Sequence, residues 1–220
     1  MKPKCVVWDW NGTLLDDVEV SIAAMNSLLD EYCLPRISGA DYYRGIFCFP
    51  VSEYYKRLGF VFDEDGFRVP AIKFIDNYNA TQDRCRLRSD ARDALERLKA
   101  AGVRQLVLSA KERESLTEQI NAFGIGGYFS DILGIDNHLA AGKADMAAAW
   151  FSQSGIDSEA AVFIGDTVHD SEAAAAAGCR CILVEGGHQR RDILRSVCDN
   201  VAESLSAAAE MVISQWELGR

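Results

Sequence analysis

The sequence predicts an α/β fold, a doubly wound parallel sheet with a helical unit inserted after its first strand. Three observations carry this. Short, continuous apolar runs at 5–8, 104–109, 160–166 and 179–184 read as strands buried on both faces. Between them lie segments whose apolar residues recur every three or four positions, so the strands are joined by helical, right-handed crossovers. Residues from about 17 to 84 contain no strand-like run, which marks an inserted helical unit. Domain boundaries follow: a Rossmann-like α/β core from residues 1–16 and 85–220, and a helical domain at 17–84.

Each element has its own signal. The first strand ends abruptly in Asp9-Trp10-Asn11-Gly12-Thr13, where glycine permits a sharp turn. Val18, Ile22, Met25, Leu28, Leu29 and Tyr32 make the first helix, closed by Pro35. A short helix is expected over 38–44, capped by Ser38, then an aperiodic break at 45–50 and a helix over 51–58 ended by Gly59. A long, aromatic-rich helix is expected from 63 to about 84, split or kinked at Pro70. Ala91, Ala94, Leu95 and Leu98 make a helix running to Gly102. The strand at 104–109 ends in Ser109, and a helix over 112–123 stops at Gly124. A short strand within 129–135, a helix over 143–154 and a strand ending at Asp166 follow. Helix 171–177, strand 179–184 and a terminal helix over 202–216 complete the pattern.

Composition narrows the function classes. At 220 residues and 49% hydrophobic content, the chain has ample material for a buried core. The formal charge is 23 − 33 = −10, with no basic cluster beyond Gln189-Arg190-Arg191, which argues against nucleic acid. No apolar run reaches the roughly 18 residues of a membrane span. Met1-Lys2-Pro3-Lys4 runs directly into the first strand without an apolar leader, so a cytoplasmic location is expected. Seven scattered cysteines with no Cys-x-x-Cys pair read as reduced, buried thiols.

In a parallel sheet all strand carboxyl ends share one edge, the edge where open α/β sheets bind ligands. Asp9 to Thr13, Ser109, Lys143, Asp166 and Asp170 all lie at strand ends or just after them, so they converge despite their separation in sequence. Alone, Asp166 or Asp170 would pass for an ordinary helix-start carboxylate.

These four ordered blocks, and the position of the helical insertion, resemble the haloacid dehalogenase-like superfamily of phosphohydrolases. Ile164-Gly165-Asp166-Thr167-Val168-His169-Asp170 and the stretch from Leu87-Arg88-Ser89-Asp90 to Gly102 are similar to its phosphoglycolate phosphatase-like branch. The resemblance implies a metal-dependent phosphatase acting on a small phosphorylated metabolite, 2-phosphoglycolate being the branch's substrate. Asp9 would be the nucleophile, forming an aspartyl-phosphate. A Mg²⁺ ion would be held by Asp9, the Asn11 carbonyl and Asp166, with Asp170 beside them directly or through water. Thr13 and Ser109 would bind phosphoryl oxygens, and Lys143 would place a cation between Asp9 and phosphate, ahead of the competing Lys111. The helical domain would be a cap, with Arg44 reading a substrate carboxylate and Tyr42, Tyr43 and Phe47 packing the cap itself. His169 is read as a solvent-facing helix-start residue and His188 as lining the entrance.

One position departs from the pattern. The superfamily's phosphatases carry a second aspartate two residues after the nucleophile as general acid and base, and this chain has Asn11 there. An amide neither protonates a leaving alkoxide nor activates water, functions typically worth about 10²–10⁴-fold. Three explanations stand: a slow or specialised phosphatase, a non-catalytic phosphoester-binding or regulatory protein, and an altered form of a parental aspartate.

Overall fold

A computed structural model describes residues 4–62, 66–135 and 142–217. The chain opens with β1 (Cys5–Trp8), buried throughout, and a short β2 (Leu15–Asp16). Four helices follow: α1 (Val18–Glu31), α2 (Ala40–Ile46), α3 (Val51–Arg57) and α4 (Arg68–Asn79). Strands and helices then alternate through β3 (Arg86–Leu87), α5 (Ala91–Ala100), β4 (Arg104–Glu112), α6 (Arg113–Ala122), β5 (Asp131–Ile135) and α7 (Lys143–Ser154). The rest comprises β6 (Ala161–Gly165), α8 (Val168–Ala176), β7 (Arg180–Val184), α9 (Arg191–Arg195), β8 (Val201–Ala202) and α10 (Leu205–Glu217).

The main sheet runs β5-β4-β1-β6-β7-β8, every pairing parallel. The chain builds outward from β1 in one direction, then returns to build from its other side, so β1 lies at the switch in strand order. That is where the crevice beyond the strand ends falls in such sheets. Trp8 pairs with Val107 on one side and Ile164 on the other.

Period-two alternation decides which layer each strand residue fills. Val6, Trp8, Val107, Val162 and Ile164 face a core completed by α5, α6 and α10. Cys5, Val7, Leu106, Leu108 and Phe163 face the opposite layer, with Trp150 and Phe151 of α7 and Ala173 and Ala174 of α8. Side chains of this size contribute about 1.5–3 kcal/mol each when fully buried. The Trp8 indole N–H is satisfied at 3.0 Å by Gln105 Oε1, and Gln105 in turn donates to the Leu95 carbonyl.

Between residues 17 and 84 the described residues are helical or irregular, as expected, and they enclose a third core. Val18, Ile22, Met25, Leu28 and Leu29 of α1 meet Tyr43, Tyr54, Tyr55, Leu58 and Phe60 there. The chain enters and leaves this block through β2 and β3, which pair antiparallel as a two-stranded ribbon that the sequence pattern does not reveal.

Several boundaries differ from expectation. α2 starts at Ala40 with Gly39 before it, and Ser38 caps nothing. Residues 63–65 lie outside the described set, and α4 is short: Pro70 sits in its first turn, where its missing N–H costs nothing. β4 continues three residues past Ser109, with a register shift against β5 between Leu108 and Glu112. α8 begins at Val168, three residues early, because Thr167 and Asp170 form a capping box. Val201 and Ala202 form the edge strand β8 instead of beginning the last helix. Only Cys5 and Cys85 are buried; Cys33 is exposed and the remaining four are half-buried, all seven being free thiols. No described helix is long and apolar enough to cross a membrane.

Candidate active site

The pairing of β1 with β6 extends one residue past Trp8, since the Asp9 amide donates to the Ile164 carbonyl at 2.9 Å. This fixes Asp9 at the carboxyl edge of the sheet. The chain then turns tightly, Leu15 N–H reaching back to Trp10 O at 2.9 Å, with Gly12 at φ 73°. A side chain at Gly12 would be strained and would run into Asp166 and His188. Gly187 is under a similar constraint, since any Cβ there would collide with the Asp166 carboxylate. Asp166 is thus gripped between two glycine-bearing segments.

Asp9, Asp166 and Asp170 come together as expected, all buried, with ligand oxygens within 4.8 Å of one another. Lys143 Nζ sits between Asp9 Oδ1 at 2.5 Å and Asp170 Oδ1 at 2.7 Å. Lys111 does not compete: its Nζ donates to Gln82 at 2.9 Å and lies over the Tyr78 ring. Thr13 Oγ1 faces two carboxylates, Asp9 Oδ2 at 3.0 Å and Asp166 Oδ1 at 3.1 Å, so its hydroxyl is turned into the carboxylate cluster. Ser109 is buried at the same edge, and its Oγ accepts the Lys111 amide at 3.1 Å. Asp170 is fully engaged. Its Oδ2 accepts from the amides of Asp166 and Thr167 and from the Thr167 hydroxyl, while Oδ1 faces Lys143.

The Asn11 side chain turns away from this cluster. Its Nδ2 donates to Asp17 Oδ2 at 2.8 Å and to Tyr78 Oη at 2.9 Å. Asp17 is the residue that sequence reasoning missed. It is buried, and it also accepts the Gly12 amide at 2.8 Å and the Tyr78 hydroxyl at 2.9 Å, and pairs with His188 Nε2 at 3.2 Å. The doublet Asp16-Asp17 was its only signal in the sequence, and nothing there separates the exposed Asp16 from the buried Asp17.

His188 is no entrance residue. It is buried, with its amide donating to Asp166 Oδ2 at 2.5 Å and its Nδ1 bonded to Tyr43 Oη at 2.8 Å. Tyr43, expected to pack the helical block, therefore also reaches the core. Gln189 continues the same strap: its amide donates to the Phe47 carbonyl while its Oε1 accepts the Val168 amide. Arg44 lies beside it and spends Nε and Nη2 on the Gly187 and Gly186 carbonyls, at 2.8 and 3.0 Å. It also lines a cavity of about 570 Å³ together with Arg88. His169 is half-exposed, and Phe49 stacks on its ring at 4.6 Å.

Burial and neighbouring charge together set the protonation pattern. Burial pushes the Asp9 carboxyl up to about 7, against Lys143 and with help from Asp170 and Asp166. Burial likewise raises Asp166. Asp170 resists the effect of burial and lies low, because Lys143 and Thr167 stabilise its anion. Asp17 is also held low against burial by His188, Asn11 and Tyr78. Burial opposes the charge on His188, but Asp17 and the other carboxylates raise it to about 9. Lys143 is raised in the same way by Asp170 and Asp9, against the opposing effect of burial. Four buried carboxylates (Asp9, Asp17, Asp166, Asp170) face two buried cations (Lys143, His188), a shortfall of two charges. Burial first, and then the neighbouring carboxylates, leave Asp9 and Asp166 as the raised members of this set. Hard oxygen ligands lacking two positive charges suit one divalent cation.

A model of haloacid dehalogenase-like hydrolases matches residues 6–184 of this chain. The chain is 29% identical to phosphoglycolate phosphatase 1 of Pseudomonas aeruginosa, over 96% of its own length and 83% of that protein's. It is 27% identical to the phosphoglycolate phosphatase of Pseudomonas putida, over 84% of this chain and 71% of that one. A haloacid dehalogenase-like family hydrolase from Streptococcus pneumoniae superposes with a TM-score of 0.79 at 20% identity, covering 97% of this chain and 98% of that chain, a likeness of fold.

Proposed function

Because the chain belongs to the haloacid dehalogenase-like hydrolase family and is a phosphatase within it, we propose that it hydrolyses a small phosphate monoester through a phosphoryl-enzyme formed on Asp9. The observation that carries this is Asp9 itself, held at the sheet edge with Lys143 at 2.5 Å and Asp166 alongside. The Asp9 carboxylate attacks phosphorus, the bond to the leaving oxygen breaks, and water later cleaves the acyl phosphate.

The donor set fits Mg²⁺: Asp9 and Asp166 would hold it with the Asn11 carbonyl. Asp170, already engaged by Lys143 and Thr167, would support them from the side. Such a cation would supply positive charge against an incoming phosphate and favour the anionic form of the Asp9 carboxyl. Lys143 keeps a positive charge beside the Asp9 oxygen throughout, and Ser109 orients a phosphoryl oxygen from the strand end. Residues 17–84 act as the cap, closing on the site through Tyr43, Arg44 and Phe47. Arg44 reads a carboxylate with what its two carbonyl bonds leave over. The names of the relatives make 2-phosphoglycolate the first substrate to try, and reduced thiols fit a cytoplasmic setting.

Asn11 favours a second reading. With its amide committed to Asp17 and Tyr78, position 11 offers no proton to a leaving alkoxide and no base to water. The same scaffold would then bind phosphoesters and turn them over very slowly. One experiment separates the two: a panel of phosphorylated two- and three-carbon acids and nitrophenyl phosphate, assayed with Mg²⁺ and with chelator. Steady turnover of one of the acids, lost in chelator, is expected. Mg²⁺-dependent binding without turnover would establish the second reading, and neither binding nor turnover would remove both.

A further inference from the structure

The cavity of about 570 Å³ that Arg44 and Arg88 line is not the reacting edge of the sheet, since Asp9, Thr13, Ser109, Lys143 and Asp166 are absent from its walls. Backbone separates the two. A Cβ at Gly12 or Gly187 would meet Asp166, whereas a Cβ at Gly186 would meet the Arg88 guanidinium, and Arg88 Nη1 approaches the Gly12 carbonyl at 3.4 Å. Arg44 comes from α2, Asp16 from β2, Arg88 from just after β3, and Glu203 from between β8 and α10. The cavity therefore lies where the chain crosses between core and helical block.

Charges in its lining are left unspent. Arg36, Arg97, Arg104, Arg190 and Arg191 each pair with a carboxylate. Among the described residues Arg44 and Arg88 pair with none, although both are half-buried. Arg44 Nη2 bonds the Gly186 carbonyl at 3.0 Å, so both guanidiniums converge on one glycine with no anion between them. A planar oxyanion is what two such forks accept. Of the three lining carboxylates, Asp90 is occupied by the Ser206 amide at 3.0 Å. Glu203 is exposed with only Arg191 near it at 3.6 Å, and Asp16 is exposed with no described ion pair. Two cations thus stand with two available carboxylates. A dianion such as phosphate would meet both arginines and also both carboxylates. A zwitterion meets each with the opposite sign.

We propose that this cavity binds a small zwitterion, an α-amino acid, with its carboxylate on Arg88 and Arg44 and its ammonium on Asp16 and Glu203. The volume lies within the roughly 300–1,000 Å³ of small-molecule sites. Arg44 belongs to the helical block and the other three residues to the core, so the ligand favours the arrangement in which the two are closed together. The site is separate from the reaction at Asp9 and holds whichever phosphoester is turned over.

The test screens the L-α-amino acids against the full chain by thermal shift at about 10 mM, where a ligand of the native state raises Tm. The best is then titrated calorimetrically beside its deaminated acid, its decarboxylated amine and inorganic phosphate. One amino acid bound per chain is expected, with each half-molecule weaker by about tenfold or more. Arg88→Gln and Glu203→Gln should each weaken the amino acid about fivefold or more, while turnover of nitrophenyl phosphate stays that of the parent. No stabilisation by any amino acid would overturn the proposal, as would binding that both variants leave unchanged. Phosphate that binds the parent more tightly than the amino acid and is lost in Arg88→Gln would make this a plain anion site and overturn it too. So would an amino acid that competes with nitrophenyl phosphate equally in parent and variants, since the ligand would then lie at Asp9. The binding measurements decide even if no phosphoester is turned over.

Discussion

Replacing Asn11 by aspartate exchanges one amide nitrogen for an oxygen 2.8 Å from Asp17 Oδ2. Two carboxylates at that separation repel by about 6 kcal/mol at an effective dielectric of 20. At 1.36 kcal/mol per unit that is equivalent to roughly four pKa units, an upper bound because His188 offsets part of it. The pair avoids the cost by keeping one proton between its oxygens. Its folded-state pKa is then raised above the unfolded value near 3.9, so the native state binds the extra proton and the unfolded chain does not. Stability conferred by that proton is present at low pH and is lost as pH rises from about 4 through the raised folded pKa. Urea unfolding of the chelated, metal-free protein should find Asn11→Asp within about 1 kcal/mol of the parent at pH 5. At pH 8 it should be weaker by about 2–4 kcal/mol. An equal loss at both pH values would mean the carboxylates do not meet, and the account of Asn11 would be wrong. The same proton is the one a leaving alkoxide needs. With Mg²⁺ present the variant should gain about 10²-fold on alkyl phosphates and less on nitrophenyl phosphate, whose leaving group needs no proton. Equal rates on an alkyl phosphate would assign the proton transfer to another group. Fresh protein of verified mass is required, because an Asn-Gly pair such as Asn11-Gly12 is prone to deamidation, and the same aspartate is part of the product.

Further outcomes follow from the same geometry. Asp9→Asn should abolish turnover and leave the fold intact, and full activity on nitrophenyl phosphate would exclude Asp9 as nucleophile. Lys143→Met should leave Asp9 and Asp170 buried without their cation, at a cost of about 3–5 kcal/mol at neutral pH by urea unfolding. Gly187→Ala should push Asp166 out of place and weaken Mg²⁺ binding at least tenfold in a calorimetric titration. Unchanged affinity there would mean that Asp166 is not a ligand.

The core was legible because its physics is local. Continuous apolar runs such as Cys5–Trp8 and Ala161–Gly165 admit few other readings, and a carboxylate at the end of each converges on the other wherever the strands are parallel. What escaped depends on contacts across long sequence separations. Asp17 and His188 meet only because the strap after β7 folds back over Gly12, and no spacing rule links positions 171 residues apart. Nothing in the aromatic-rich stretch 63–84 singles out Tyr78, whose ring packs in the core while its hydroxyl serves Asn11 and Asp17. Thr167 and Asp170 moved the start of α8 because a capping box outweighs the apolar pattern that begins later. β2 and β3 were invisible because two-residue strands carry no periodicity.

Trp8 and Trp10 stand on either side of Asp9, both wholly buried, the Trp10 indole bonded to Gln119 at 2.8 Å and tilted against Phe123. The Asp9 carboxyl is therefore bracketed by two buried chromophores. Any event that changes the charge on Asp9 alters the local field at these rings, and the field sets the colour of indole emission. The enzyme carries its own optical reporter, and stopped-flow tryptophan emission should follow cation binding and phosphorylation without a label.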